Sequence, residues 1–353
     1  MRPKAVVAMS GGVDSSVAAA LLKDAGYDVI GIMLKLWKGR AANNESGCCS
    51  VDAAEDARRV AQVLDFPFYV LNFADEFDRT VVGDFTAGYA SGLTPNPCVT
   101  CNRTIKFRTL LSRARAYGAD LFATGHYARV EETAAGFRLM RANDRSKDQS
   151  YVLYMLGQVE LAMTRFPVGE YSKPEIRDIA ASLGLRTAGK PDSQDICFVP
   201  NGDTHAFLRE RVPAGSQPGP ILNAAGESLG THRGYAHYTL GQRRGLGLGT
   251  GLPLYVREIR PSDNVVVVAG REHMSVRTMH LRDVSFVRPR KQMFRTSVIT
   301  RYRGAEAMAT VQTAEATARV EFDEPQPLAA PGQSAVFYDG DEVLGGGTIL
   351  SAA

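Results

Sequence analysis

The sequence predicts an α/β fold class, in which a domain with a parallel sheet is followed by a small β-rich domain and a C-terminal β barrel. Short apolar runs alternate with helical patterns through the first 125 residues, which is typical of a parallel sheet covered by helices. After about residue 206, glycine and proline become frequent and the apolar runs shorten into β-type segments. The length of 353 residues also favours two or three domains.

The individual elements follow from local patterns in chain order. In the first domain, residues 1–206, buried runs predict strands at 4–9, 28–34, 68–71 and 120–123. Apolar residues at helical spacing predict helices at 15–25, 51–64, 101–117 and 173–183. The middle domain, residues 207–272, has a predicted strand at 265–269, and the barrel, residues 273–353, has predicted strands at 284–287, 297–302, 318–322 and 334–338.

Composition and charge exclude several classes of protein. Hydrophobic residues at 44% and charged residues at 22% are ordinary for a soluble globular chain. No apolar run approaches the ~20 residues of a membrane span, and the N-terminus lacks the layout of a signal peptide. We therefore expect a cytoplasmic protein with no membrane partner.

The segment between the first strand and the first helix predicts an anion site. It reads Ala8-Met-Ser-Gly-Gly-Val-Asp-Ser-Ser16. Gly11 and Gly12 permit positive φ and close approach of a ligand, and amides at a helix start favour negative charge. Ser10 and Ser15 add hydroxyl donors, and Asp14 can hold a Mg²⁺ that bridges phosphate oxygens. The loop lacks Gly-Lys-Ser/Thr, which disfavours transfer of a terminal phosphate; the alternative is a plain glycine turn.

Five cysteines, an odd number confined to the first 200 residues, favour thiols, metal ligands or catalytic groups over a disulfide framework in a reducing compartment. Cys98 and Cys101 lie where a loop runs into a helix, with Arg103 and Lys106 nearby, and such surroundings favour the reactive thiolate. The alternative for this pair is half of a structural metal site, although the six histidines offer no second pair.

The other three cysteines differ in their surroundings. Cys197 ends the polar run 191–198, where it is either a reactive thiol or a small buried hydrophobe. Cys48 and Cys49 lie in a Gly/Asn-rich loop that gives them no reason to be reactive.

Five motifs together resemble the tRNA-specific 2-thiouridylase family, which is similar to other pyrophosphate-loop ATP pyrophosphatases. They are the loop at 8–16, Asn96-Pro-Cys-Val-Thr-Cys-Asn102, Thr124-Gly-His-Tyr127, Lys147-Asp-Gln-Ser-Tyr151 and Ser193-Gln-Asp-Ile-Cys-Phe198. The resemblance covers essentially the whole chain. It implies an adenine nucleotide alpha-hydrolase-like fold for the first domain and ATP with Mg²⁺ as cofactors. It also implies ATP-dependent 2-thiolation of the wobble uridine, position 34, of tRNA.

The resemblance also implies roles for particular residues. Cys101 is the expected nucleophile and Cys197 the expected carrier of a persulfide, the two closing a disulfide after transfer. The expected ATP contacts are Ala8, Met9, Ser10, Gly11, Gly12, Val13, Asp14, Ser15, Leu34 and Gly125. The expected contacts with the target base are Asn96, Pro97 and Cys98. The expected contacts with tRNA are Lys147, Asp148, Gln149, Arg301 and Tyr302.

One departure from the family concerns Cys98. Many members carry Asp at this position as a candidate proton-transfer group. In this chain that role falls to a thiol, passes to a residue such as Asp195, or is unnecessary. No dedicated metal site is expected, although the alternative remains that Cys98, Cys101 and Cys197 together ligate an iron–sulfur cluster.

The expected partners are the anticodon stem-loop of tRNA and a sulfur-donor protein, either a cysteine desulfurase or a relay. Arg243 and Arg244, in a glycine-rich loop, are predicted to contact phosphates, and the alternative for this loop is a set of turns between β strands. A second basic group in the barrel is predicted to hold the anticodon stem, and consists of Arg288, Arg290, Lys291 and Arg295. The alternative is that these charges cancel within the fold.

Two alternative functions remain open. One is another adenylating ligase or amidotransferase, which would need neither Cys101 nor Cys197. The other is an ATP-responsive RNA-binding or metal-binding regulator.

Overall fold

A computed structural model describes residues 2–37, 51–192, 196–249 and 251–352. The strands in these ranges are β1 (Lys4–Ala8), β2 (Asp28–Lys35), β3 (Phe68–Asn72), β4 (Leu121–Thr124), β5 (Ala128–Thr133), β6 (Gly136–Arg141), β7 (Thr164–Arg165), β8 (Gly219–Leu222), β9 (Ser228–His232), β10 (Tyr255–Arg260), β11 (Val265–Ala269), β12 (Ser275–Phe286), β13 (Met293–Ile299), β14 (Ala307–Ala314), β15 (Thr317–Pro327), β16 (Ser334–Asp339) and β17 (Glu342–Ala352).

All α-helices of the same ranges lie in the first 211 residues. They are α1 (Val13–Asp24), α2 (Val51–Val63), α3 (Ala74–Phe77), α4 (Gly83–Ala90), α5 (Pro97–Cys101), α6 (Leu111–Ala116), α7 (Gln158–Met163), α8 (Lys173–Ser182) and α9 (Thr204–Arg211). Two π-helical segments, Asp78–Val82 and Asn102–Leu110, join α3 to α4 and α5 to α6. In the described ranges no helix combines the length and the apolar character needed to cross a membrane.

The first sheet has the order β3-β2-β1-β4-β7, and every pairing in it is parallel. The central strand β1 is apolar along its middle because helices cover both faces of such a sheet. Since the strands are parallel, their carboxyl ends share one edge. This edge is where ligands bind in open α/β sheets.

Two further sheets follow in the chain. A four-stranded sheet has the order β10-β11-β8-β9, and β12 to β17 close into a barrel because β12 pairs with both β15 and β17. The hairpin β5–β6 extends the barrel sheet, with Leu139 opposite Val343 and Met140 opposite Glu342. A part of the first 206 residues is therefore hydrogen-bonded to the C-terminal barrel.

The predicted fold class is confirmed, and most predicted elements occur within a few residues of their expected positions. The strand predicted at 265–269 has those bounds as β11. The strand predicted at 284–287 is instead the end of the longer β12, and the one predicted at 297–302 starts earlier as β13 and ends at Ile299. The domain boundaries at 206 and 272 stay predictions.

The hairpin contact gives a test of how firmly the barrel is joined to the first domain. Leu139 is fully buried, so Leu139→Ala should lower the free energy of unfolding by about 2–5 kcal/mol through lost contacts and a cavity. Leu350→Ala is the matched control, because Leu350 lies on β17 and is 55% exposed. Thermal and urea unfolding measure both variants. Equal losses for the two would mean that the hairpin packing contributes nothing to stability.

Candidate active site

The predicted phosphate loop lies between β1 and α1 with its amides available. Gly11 has a φ of 71°, and a Cβ there would meet the Ala53 carbonyl oxygen at 2.2 Å, so only glycine fits. The Ser15 hydroxyl accepts from the Ser10 amide at 3.1 Å and donates to the Gly12 carbonyl at 3.2 Å. Within the described chain no hydrogen-bond acceptor meets the amides of residues 11–15. Unpaired amides at a helix start form an anion-binding cradle.

The other expected nucleotide contacts lie at the same edge of the sheet. Leu34 is near the end of β2, which pairs with β1, and Gly125 directly follows β4 on the other side of β1. Gly125 touches the start of α1, because a Cβ on it would lie 2.6 Å from the Ser15 amide nitrogen. The structure thus brings together all ten residues predicted to contact the nucleotide, from Ala8 to Gly125.

Asp14 has partners that sequence reasoning missed. The Lys173 ammonium, at the first turn of α8, donates to its two carboxylate oxygens at 2.7 and 2.9 Å. The Tyr127 hydroxyl donates to the same carboxylate at 2.8 Å. Burial, followed by the charge of Asp14, raises the pKa of Tyr127, which therefore stays protonated and remains a donor. The carboxylate is fixed in position before any ligand arrives.

Lys173 is shared with a second carboxylate, that of Asp192. Its ammonium lies 2.7 Å from Asp192, which also meets Lys147 at 2.7 Å and Arg177 at 3.3 Å. Burial opposes ionisation of Asp192, but hydrogen bonds from Lys147 and Lys173 lower its pKa to about 2. The network contains three cations and two carboxylates, and a third carboxylate, Asp144, accepts from the Lys173 amide at 3.0 Å, so the charges beside the phosphate loop nearly balance.

The predicted thiol pair lies on α5, whose start is capped by Asn96. The Asn96 side chain accepts hydrogen bonds from the Cys98 and Val99 amides at 3.1 and 3.3 Å, and Pro97 occupies the first turn. Cys98 is exposed, whereas Cys101 is 8% exposed and belongs to the core. The Asn96 side chain is also a predicted contact of the base. Its oxygen is already occupied as the N-cap of α5.

The helix that carries Cys101 reaches the phosphate loop through a buried histidine. Lys106 lies 3.4 Å from His126 Nε2, and His126 Nδ1 lies 2.6 Å from the Thr124 hydroxyl. Burial, and then the charge of Lys106, lower the pKa of His126 well below its usual range, so the ring is neutral at pH 7. His126 adjoins Gly125, which touches the first turn of α1.

Cys197 is half-buried and packs against the same core cluster as Cys101. The next residue, Phe198, anchors it: its ring lies 5.2 Å from that of Phe85 and 5.6 Å from that of Phe77, both edge-on.

Cys48, Cys49 and Asp195 lie outside the described residues. No group of three or more His, Cys, Asp or Glu within the described ranges could hold a metal ion. Cys98, Cys101 and Cys197 thus form no such group.

The predicted tRNA contacts lie together, but three of their side chains have internal partners, the first being Lys147, which pairs with Asp192. Asp148 accepts hydrogen bonds from the Ala142 amide and the Ser150 hydroxyl, and Gln149 accepts from the Tyr127 amide at 2.9 Å. Arg301 and Tyr302 are exposed beside this segment, since the ring of Tyr302 lies 6.0 Å from that of Tyr151.

The basic group of the barrel is partly neutralised within the fold. Arg288 and Arg290 both donate to Glu342, and Arg295 meets Asp323 at 2.6 Å. These three arginines share two carboxylates, and Glu342 also lies 3.6 Å from Arg138, so part of the positive charge stays uncompensated. By contrast, Arg243 and Arg244 are exposed and form no ion pair with any described residue.

The sequence matches known families along its length. Three family models match in order: tRNA methyl transferase HUP domain at residues 3–201, tRNA methyl transferase PRC-barrel domain at 205–270, and aminomethyltransferase beta-barrel domain at 276–349.

Curated relatives are similar over nearly the whole chain. Three of them are each named tRNA-specific 2-thiouridylase MnmA. That of Moorella thermoacetica is 50% identical and that of Clostridium perfringens 45%, each covering 99% of both chains. That of Roseiflexus castenholzii is 49% identical over 98% of this chain and 99% of its own. Among solved structures, a 4-thiouridine synthetase–RNA complex with bound ATP aligns with a TM-score of 0.36 and 19% identity, over 60% of this chain and 50% of that one.

Proposed function

The chain belongs to the tRNA-specific 2-thiouridylase family, and from that premise we propose that it replaces the 2-oxygen of the tRNA wobble uridine by sulfur, using ATP. One observation carries the proposal. Described contacts beside the phosphate loop lie close in sequence to both predicted reactive thiols: Lys106, after Cys101, meets His126, and Asp192, five positions before Cys197, meets Lys173. The activating site and the sulfur-handling site are thus proposed to lie next to each other.

ATP is the proposed activating substrate. The unpaired amides of residues 11–15 fit its β- and γ-phosphates, and Leu34 and Gly125 flank the position of the nucleoside. The uridine 2-oxygen attacks the α-phosphorus, so a bond to the α-phosphate forms and pyrophosphate leaves. Asp14 would hold Mg²⁺, which lends positive charge to the phosphate oxygens. The Lys173 ammonium would stabilise the negative charge that the leaving group develops.

Sulfur transfer follows at carbon 2 of the activated base. A donor protein first loads Cys197 as a persulfide, and its terminal sulfur attacks carbon 2. The Cys101 thiolate then attacks Sγ of Cys197, which breaks the persulfide bond, leaves the sulfur on the base and closes a Cys101–Cys197 disulfide. AMP departs with the original oxygen. A cellular thiol reductant supplies the two electrons that reopen the disulfide.

The proposed division of labour follows the predicted domains. Residues 1–206 carry out the chemistry, residues 207–272 present Arg243 and Arg244, and residues 273–353 hold the tRNA beside Arg301 and Tyr302. The wobble uridine lies in a single-stranded loop, so its base can reach Asn96, Pro97 and Cys98 at little cost in unstacking. Lys147 can contact RNA only by sharing or leaving Asp192.

The reaction itself is tested in cells that lack this protein. We expect 2-thiouridine to disappear from their tRNA nucleosides by mass analysis and to return with the wild-type gene. Cys101→Ser and Cys197→Ser should each fail to restore it, because serine keeps the side-chain size but cannot carry sulfur. The Cys48→Ser, Cys49→Ser double variant is the control and should restore it. A sulfur adduct trapped on Cys101 instead of Cys197 would reverse the two roles.

The adenylation step is tested at Asp14. Asp14→Ala should lower tRNA-dependent pyrophosphate release by about a hundredfold or more, with tRNA affinity unchanged. The fold should survive, because Lys173 keeps Asp192 as a partner. Asp24→Ala, at the far end of α1, is the control. Wild-type pyrophosphate release by the Asp14 variant would disprove its role.

The tRNA contacts are tested by salt dependence. Arg243→Glu with Arg244→Glu should weaken tRNA binding and flatten the plot of log affinity against log salt by about two slope units, one per lost phosphate contact. Arg58→Glu with Arg59→Glu on α2 makes the same change of charge at arginines that pair with Glu55. An unchanged slope would mean that other cations, such as Lys291, make the phosphate contacts.

A further inference from the structure

Lys190 contacts the phosphate loop from outside it, and the reaction described above leaves it without a role. Its ammonium donates to the Gly11 carbonyl at 3.0 Å and to Asp56 of α2 at 2.8 Å. The backbone of Lys190 is itself fixed, because its amide donates to the Thr187 carbonyl at 3.1 Å and its carbonyl accepts from Arg177 at 3.0 Å. The ammonium therefore approaches the loop from a defined position.

The loop is free to rotate at this peptide unless something holds it. Gly11 and Gly12 are consecutive glycines, and no side chain limits rotation of the peptide between them. In a trans peptide the carbonyl and the following N–H point in opposite directions. A contact that fixes the Gly11 carbonyl therefore fixes the direction of the Gly12 N–H as well. Among the described residues that N–H meets no acceptor.

Helix α2 supports the same peptide from a second side. Its Ala53 lies against Gly11, where a Cβ would come within 2.2 Å of the Ala53 carbonyl oxygen. One turn further along, Asp56 holds the Lys190 ammonium. Gly11 is thus enclosed between α2 and Lys190.

We propose that Lys190, anchored by Asp56, is a positioning residue that orients the Gly11–Gly12 peptide so that the Gly12 amide faces the phosphates of ATP. This inference rests on the proposed function, since it concerns how the same loop binds its nucleotide. Lys190 acts through the backbone and not as a phosphate ligand. Two of the three ammonium N–H groups already donate, one to a carbonyl and one to a carboxylate, so we assign the phosphate contact to the peptide amide.

The experiment compares variants by calorimetric binding of ATP, pyrophosphate and adenosine to the full-length chain with Mg²⁺. Lys190→Met should weaken ATP and pyrophosphate binding by about tenfold or more, the worth of one hydrogen bond to a charged group. Adenosine, which has no phosphate, should bind as to wild type. Lys190→Arg keeps a charged donor and should recover part of the loss. Arg59→Met, on α2 but paired with Glu55, is the control.

Asp56→Asn decides between positioning and direct contact. If Lys190 orients the peptide, loss of its anchor should weaken pyrophosphate binding, and the double variant with Lys190→Met should be no weaker than Lys190→Met alone. Stronger pyrophosphate binding by Asp56→Asn would mean that a released Lys190 grips phosphate itself, which overturns the proposal. Wild-type affinity in Lys190→Met would also overturn it. A wild-type chain that binds ATP but never thiolates tRNA would instead count against the proposed function.

Discussion

The ammonium group of Lys173 is the contact on which the arrangement of the site depends. Lys173 is 7% exposed, and a cation this deeply buried is tolerated only when carboxylates surround it. It satisfies this requirement with two of them, Asp14 in the phosphate loop and Asp192 in the segment before Cys197. Because loss of either carboxylate would leave this buried cation with a single counter-charge, the two segments are held close to each other.

This shared ion joins two chemical tasks that the sequence keeps far apart. Asp14 is a proposed contact of the nucleotide, whereas Asp192 precedes the proposed sulfur carrier by five positions. The Cys101 helix reaches the same loop from the other side, through Lys106 and the neutral ring of His126. In the proposed mechanism, activation of the base and delivery of sulfur both take place at one edge of the parallel sheet.

Local patterns in the sequence predicted the sheet and the loop, because each depends on neighbouring residues. The apolar run of β1, the two glycines and the first turn of α1 are contiguous, and all predicted nucleotide contacts meet at one sheet edge. The partners of Asp14 were not predictable, since Lys173 is 159 positions away and its helical pattern gives no sign of a buried charge. For the same reason no local signal showed that Arg288 pairs with Glu342, 54 positions later, so that part of the charge of the basic stretch is compensated.

The hairpin β5–β6 was not predicted from the sequence, for a related reason. It joins the first domain to the barrel that is proposed to hold tRNA. Its partner strand β17 is some 200 positions away, so no local signal assigns it to the barrel. The barrel also clamps the residue two before the Asn96 cap: the Thr94 amide donates to the Pro331 carbonyl, and Gln333 donates to the Thr94 carbonyl, both at 2.8 Å. A shift of the barrel would break these bonds. The barrel proposed to hold tRNA is therefore hydrogen-bonded to the segment that leads into the helix of Cys101.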